Sequence, residues 1–169
     1  MDYSSFFSHE NQVILFVKYD IIRPVAFKIN EDEVKGVEEM KACIFCQQIK
    51  LEQILSETEY FKVVFDINPV QMGHLLIISK KHAMDMRELL DEELFDLIKL
   101  EQQLMSKIYD IFDVDGVTIA QNNGSIMDKG THCHVHVIPR YKNDEFWDNQ
   151  KVVPHENDLL KLKVALSLK

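Results

Sequence analysis

His132-Cys133-His134-Val135-His136-Val137-Ile138 is the stretch on which the reading of this chain turns. Side chains on a strand alternate between its faces, so all three imidazoles share one surface while Cys133, Val135 and Val137 point the other way. Histidine is a modest strand former, and adjacent rings repel when charged. A purely structural strand gains nothing from such a row, so the face is read as chemical, with the strand halted by Pro139.

Working outward, Val117 to Gln121 reads as a neighbouring strand and Asn122-Asn123-Gly124 as a turn. Tyr60 to Phe65 and His74 to Ser79 are β-rich runs around Asp66-Ile67-Asn68-Pro69, with Gly73 opening the second run. From Asp91 to Phe112 the apolar residues Leu94, Leu97, Ile98, Met105, Ile108, Ile111 and Phe112 recur at helical spacing, with Leu104 adjoining and Asp91 placed as cap. Leu159, Leu160, Leu162, Val164, Ala165 and Leu166, behind polar Glu156-Asn157-Asp158, predict a C-terminal helix. Gln12 to Asn30 predicts a β-hairpin, and the acidic stretch Glu31 to Glu39 a solvated connection or short helix. The expected organisation is an N-terminal extension over 1–40, a main domain over 41–142 and a tail with a helix over 143–169.

The chain has 169 residues, 46% of them apolar, enough for one real core. Nineteen basic against 28 acidic residues give a net charge of −9, which opposes adhesion to nucleic acid or an anionic membrane. A small nucleotide remains compatible, because a few local donors hold a phosphate. No apolar run is long enough to span a bilayer and the opening residues lack a signal-peptide pattern, so the expected address is cytoplasmic. Cys43 and Cys46 stand in C-x-x-C spacing, which by itself fits buried small hydrophobes, a redox pair or metal ligands. Cys133 is expected in the core.

His132-x-His134-x-His136 followed by two apolar residues resembles the signature of the histidine-triad (HIT) family. The likeness extends through Cys43-Ile44-Phe45-Cys46, Phe65 to Pro69, Gly73-His74, Lys80-Lys81-His82, Asn122-Asn123-Gly124 and Ile138 to Tyr141. It implies an α+β fold with a five-stranded antiparallel sheet, a long helix, and a homodimer in which two sheets run together. It implies a nucleotide hydrolase in which His134 attacks phosphorus and becomes transiently nucleotidylated, with a purine nucleotide as substrate. Its branch with C-x-x-C implies a structural zinc held by Cys43, Cys46, His82 and His132, a closed set of two thiolates and two imidazoles.

The remaining roles follow by motif position. His136 stabilises charge on non-bridging oxygens, and His74 matches a buried histidine that supports the nucleophile. Asp66 matches an acid that accepts both ribose hydroxyls, and Ile44, Phe45, Ile67 and Leu76 match walls around the base. Asn122 is read as a phosphate donor. An imidazole whose far nitrogen donates to a carbonyl offers a lone pair at neutral pH, which supports His134 as nucleophile on chemical grounds.

The chain departs from the family where Gly-Gln-Ser or Gly-Gln-Thr usually precedes the triad. Here Met127-Asp128-Lys129-Gly130-Thr131 is one residue shorter, with Thr131 or Lys129 as substitutes toward phosphate. Ser79 replaces a customary proline, and Trp147 is either a packing anchor or a residue that reaches substrate. Two other functions stay open at this point: a nucleotidylyltransferase, or a catalytically idle zinc-stabilised nucleotide-binding protein.

Overall fold

A computed structural model describes residues 42–148, residues 150, 151 and 153, the helix 159–167 and, as backbone, the strands 3–8, 12–17 and 26–30. The last three, β1 (Tyr3–Ser8), β2 (Gln12–Val17) and β3 (Ala26–Asn30), form an antiparallel sheet in the order β1-β2-β3. The expected hairpin is therefore the β2–β3 pair, Gln12 opposite Asn30, with a third strand added before it. The acidic stretch 31–39 and the polar cap 156–158 lie outside the described residues.

The main sheet has five antiparallel strands: β4 (Ile54–Glu57), β5 (Phe61–Phe65), β6 (Leu75–Ser79), β7 (Gly116–Ala120) and β8 (His134–Arg140), in the order β4-β5-β6-β8-β7. A single helical turn, α1 (Ile44–Gln47), precedes it, the long helix α2 (Asp91–Ile111) joins β6 to β7, and α3 (Leu159–Ser167) ends the chain. This is the α+β architecture expected. No helix among the described residues is long and apolar enough to cross a membrane.

The alternation read in the histidine stretch is realised. Cys133, Val135 and Val137 join Phe61, Val63, Leu75 and Ile77 under α2, in one apolar layer with Leu97, Leu100, Leu104 and Ile108. The opposite face of the sheet carries Val64, Leu76 and Ile78 with Cys43 and Phe45 of the α1 segment. Every residue of β6 is buried because it lies between two apolar layers. The second layer holds the imidazoles.

Three local expectations are corrected. The strand begins at His134, so His132 lies just before it, and it runs through Pro139 to Arg140. β6 reaches only as far as Leu75 opposite Val137, and the Arg140 carbonyl accepts from Asp115 on the β7 side. The nitrogen of Pro139 therefore faces the side where no strand continues, and no ladder bond is lost. In α2 the buried stripe is Glu93, Leu97, Leu100, Leu104 and Ile108, while Ile98 and Ile111 face outward. Leu100 belongs to the stripe by its spacing of three and four from Leu97 and Leu104. The cap is Leu90 instead of Asp91: the Leu90 N–H donates to the Glu93 carboxylate at 2.7 Å, and Lys81 pairs with that carboxylate.

Gly73 sets the entry to β6. Its φ is +82°, and a Cβ there would lie 2.8 Å from the Phe112 ring, so both conformation and space require glycine.

Candidate active site and metal centre

Six rings line up along the second face of the sheet. His82 meets His132 at 5.1 Å between centroids, and Phe45 wedges between His132 (5.5 Å) and His134 (5.1 Å). His136 follows His134 at 4.8 Å, and His74 follows His136 at 5.1 Å. The register explains the row, since Ile78 lies opposite His134 and Leu76 opposite His136 on β6. One end of the row is sulfur-bearing and the other opens into a cavity.

At the sulfur end, Cys43 Sγ lies 3.2 Å and Cys46 Sγ 3.5 Å from His132 Nδ1, and Cys46 Sγ lies 3.2 Å from His82 Nδ1. The ligand atoms of Cys43, Cys46, His82 and His132 all fall within 4.8 Å of one another, so this group could hold a metal ion. The chemistry of the set agrees. His132 donates Nε2–H to the Ser79 carbonyl at 2.7 Å, leaving the Nδ1 lone pair for the cluster, as metal-binding histidines are commonly oriented. Burial lowers the His132 pKa to about 4 and keeps that ring neutral. Burial, then the neighbouring Cys43, pushes the Cys46 thiol up to about 11, so a bound cation is what would make that sulfur a thiolate. The buried Nε2 of His82 has no partner among the described residues, so only the Nδ1 side fixes that ring.

Ser79, where the family usually has proline, makes hydrogen bonds that order this end of the sheet. Its N–H donates to the Cys133 carbonyl at 3.1 Å, a bond proline could not make. Its hydroxyl donates to the Lys81 carbonyl at 2.8 Å, and its carbonyl orients His132.

At the open end, a cavity of about 300 Å³ is lined by Ile44, Phe45, Asp66, Ile67, Leu76, Thr131, His134 and His136 among others. Eight of the residues expected at a nucleotide site thus converge. His134 donates Nδ1–H to the His132 carbonyl at 2.7 Å, which leaves Nε2 as the lone-pair nitrogen of the neutral ring. The ring is buried, so the lone pair is poorly hydrated.

His74 is placed differently from its expected role: it stands against His136. His74 Nδ1 accepts from the Val70 N–H at 3.3 Å, so the ring proton sits on Nε2, which donates to His136 Nδ1 at 3.0 Å. His136 then carries its own proton on Nε2. Asp66 closes the group, one oxygen 3.4 Å from His74 Nδ1 and 3.8 Å from His136 Nδ1, the other accepting from the Asn68 N–H at 2.8 Å. Burial, then the neighbouring rings, lowers the His136 pKa to about 4, and burial lowers that of His74. Both are neutral at neutral pH.

Asn122 is exposed and does not line the cavity, and the next residue, Asn123, uses its side chain to accept from the Met86 N–H at 2.9 Å. The Thr131 hydroxyl lines the cavity but spends its proton on the Asp128 carbonyl at 2.7 Å. Trp147 stacks edge-on against Phe146, away from the cavity, and Cys133 is buried under α2 as expected. Gln48, Ile49, Val64 and Asn68 also line the cavity and were not anticipated. Gln48 could have been found, since it lies one helical turn after Ile44. Lys62 was missed as well; its ammonium donates to the Phe45 carbonyl at 2.7 Å and ties β5 to the α1 turn.

The HIT domain pattern matches residues 47–143. The adenosine 5′-monophosphoramidase of Schizosaccharomyces pombe is 31% identical over 137 residues, 76% of this chain and 99% of that protein. A bis(5′-adenosyl)-triphosphatase of Dictyostelium discoideum is 31% identical over 105 residues, 62% of this chain and 70% of that protein. A HIT family protein of Bacillus anthracis superposes with a TM-score of 0.58 at 27% identity, over 75% of this chain and 97% of that one. With its triad, its sheet and this match over more than half its length, the chain belongs to the HIT domain family.

Proposed function

We propose that this chain is a nucleotide hydrolase that cleaves at the α-phosphorus of a nucleoside phosphoramidate, nucleotidyl ester or dinucleoside polyphosphate through a nucleotidyl-His134 intermediate. The observation that carries the reading is the 2.7 Å hydrogen bond from His134 Nδ1 to the His132 carbonyl, which prepares Nε2 as a neutral nucleophile. The relatives named as an adenosine 5′-monophosphoramidase and a bis(5′-adenosyl)-triphosphatase support the substrate class.

In this reading the His134 Nε2 lone pair forms a bond to the α-phosphorus, and the bond to the leaving group breaks with its electron pair, which stays on a departing phosphate oxygen or, on a departing amine, takes up a proton from water. His136 Nε2–H, held in that tautomer by His74, donates to a non-bridging oxygen as charge develops. Water then forms a phosphorus–oxygen bond, the P–Nε2 bond breaks, and the water proton passes to solvent. Asp66 accepts the ribose hydroxyls, and Ile44, Phe45, Ile67 and Leu76 form apolar walls around a purine, a surface that reads shape and separates adenine from guanine weakly.

Cys43, Cys46, His82 and His132 would hold a structural zinc, which supplies a clamp between the α1 segment and the catalytic strand. A reducing compartment, the cytoplasm, suits these thiols. The active form is a homodimer paired through β7. The other sheet edge, β4, is blunted by Glu57 and by an irregular register, whereas β7 (Gly-Val-Thr-Ile-Ala) carries neither charge nor bulge.

Hydrolysis of adenosine 5′-phosphoramidate and diadenosine triphosphate, native against His134→Asn, tests the reading. AMP release should fall by roughly 10³-fold or more in the variant. Activity retained in His134→Asn overturns the nucleophile, and AMP binding without turnover of any substrate replaces this reading with the idle binding protein.

A further inference from the structure

The loop before the triad is where this chain leaves its family's usual sequence, and it contributes Asp128, Lys129 and Thr131 to the cavity wall. Lys129 is the single lysine or arginine on that wall. The protein as a whole carries a net charge of −9, so a cation here is a local exception. Among the described residues its ammonium makes no hydrogen bond or ion pair, Asp128 included.

The backbone on both sides of Lys129 is fixed. The Gly130 carbonyl accepts from the Ile44 N–H at 2.7 Å, and Gly130 has φ +76°, with room for a Cβ only 3.3 Å from the Ala42 carbonyl oxygen. The Thr131 N–H and hydroxyl both donate to the Asp128 carbonyl, at 3.2 and 2.7 Å. Among the described residues the loop thus brings a lysine with no partner to the same cavity wall as His134 and His136, while its hydroxyl proton is turned inward.

We infer that Lys129 selects the leaving group, favouring substrates whose leaving group is itself a phosphate anion over those that release an amine; this rests on the hydrolase reading above. When His134 Nε2 bonds to the α-phosphorus of such a substrate, the bridging P–O bond breaks and the electron pair stays on the departing phosphate oxygen. That oxygen belongs to a group ionised near neutral pH and leaves without gaining a proton. An ammonium stabilises the charge as it develops. In a phosphoramidate the departing nitrogen must instead gain a proton, and Lys129 offers it no comparable advantage.

The test compares native protein, Lys129→Gln and Lys129→Arg on diadenosine triphosphate and adenosine 5′-phosphoramidate. The kcat/KM ratio of the first substrate to the second should fall about tenfold in Lys129→Gln, the scale of one charged hydrogen bond, and recover in Lys129→Arg. An unchanged ratio overturns the assignment, including the case where both activities fall together. Equilibrium binding gives a second readout that needs no turnover. ADP should bind more tightly than AMP to the native protein, and Lys129→Gln should abolish that preference; an equal preference in both proteins also overturns the role of Lys129. Binding with the predicted ADP preference but no hydrolysis would sink the hydrolase reading and leave Lys129 as the phosphate contact.

Discussion

At the scale of single residues the site is a set of tautomers fixed by hydrogen bonds. His134 is set by its own strand, His132 by Ser79, and His136 by His74, which is itself set by the Val70 N–H. Replacing His74 with Leu removes the donor to His136 and should lower kcat by about 10² with KM little changed, whereas Gln, which keeps a donor there, should recover much of the loss. Equal losses in both variants would mean that His74 only fills space. The buried ring also gives a pH signature. His136 has its pKa lowered to about 4 from an ordinary 6.5, so between those values the unfolded chain binds a proton that the folded one refuses. Stability from this group is complete above about pH 6.5 and is lost as pH falls toward 4. Urea midpoints at pH 7 and pH 5 should therefore differ less in His136→Asn than in the native protein, and an equal difference would contradict the assignment. The identity of the triad was legible from its period of two, whereas the tautomers depend on carbonyls and an amide from other segments, which no spacing reveals.

At the scale of elements, the helix and four core strands were readable because apolar residues recur with the right periods. The details missed are those set by tertiary neighbours. Ile98 belongs to an apolar pattern yet is 54% exposed, while Leu100, not picked out, lies against the sheet. Leu97 packs against β-strand residues on the same layer, and Leu97→Ala should cost roughly 2–5 kcal/mol, read from denaturant melts at constant m. A cost below about 0.5 kcal/mol, the size of a surface substitution, would contradict its place in the core. Pro139 inside β8 was read as a stop because the sequence does not say that β6 ends before it. The proposed zinc clamp would pin the α1 segment to the catalytic strand. Protein purified without added zinc should hold about one equivalent per chain and lose it in Cys43→Ser, with a lower melting temperature. Native protein free of metal and insensitive to chelator would remove the clamp.

At the scale of the whole molecule, one sheet separates structure from chemistry. Its α2 side is a continuous apolar layer, and its other side runs from the cluster of Cys43, Cys46, His82 and His132 through Phe45 to a cavity of about 300 Å³. The family signature made that second face legible from sequence because the residues of that cluster come from three separate segments with fixed motifs. The cavity's Lys129 loop was less legible, since there the pattern is broken. Dimerisation through β7 predicts twice the chain mass in sedimentation equilibrium and a monomer for Val117→Pro, whose N–H faces away from β8, and a monomeric native protein would contradict it. The central claim is that His134 becomes covalently nucleotidylated. Acid-quenched, millisecond mixing with diadenosine triphosphate, followed by mass spectrometry of the peptide that holds residues 130–140, tests it most directly. A mass increase of one adenylate on His134, absent from His134→Asn, is the predicted result; rapid AMP release with no adduct at any quench time would contradict it.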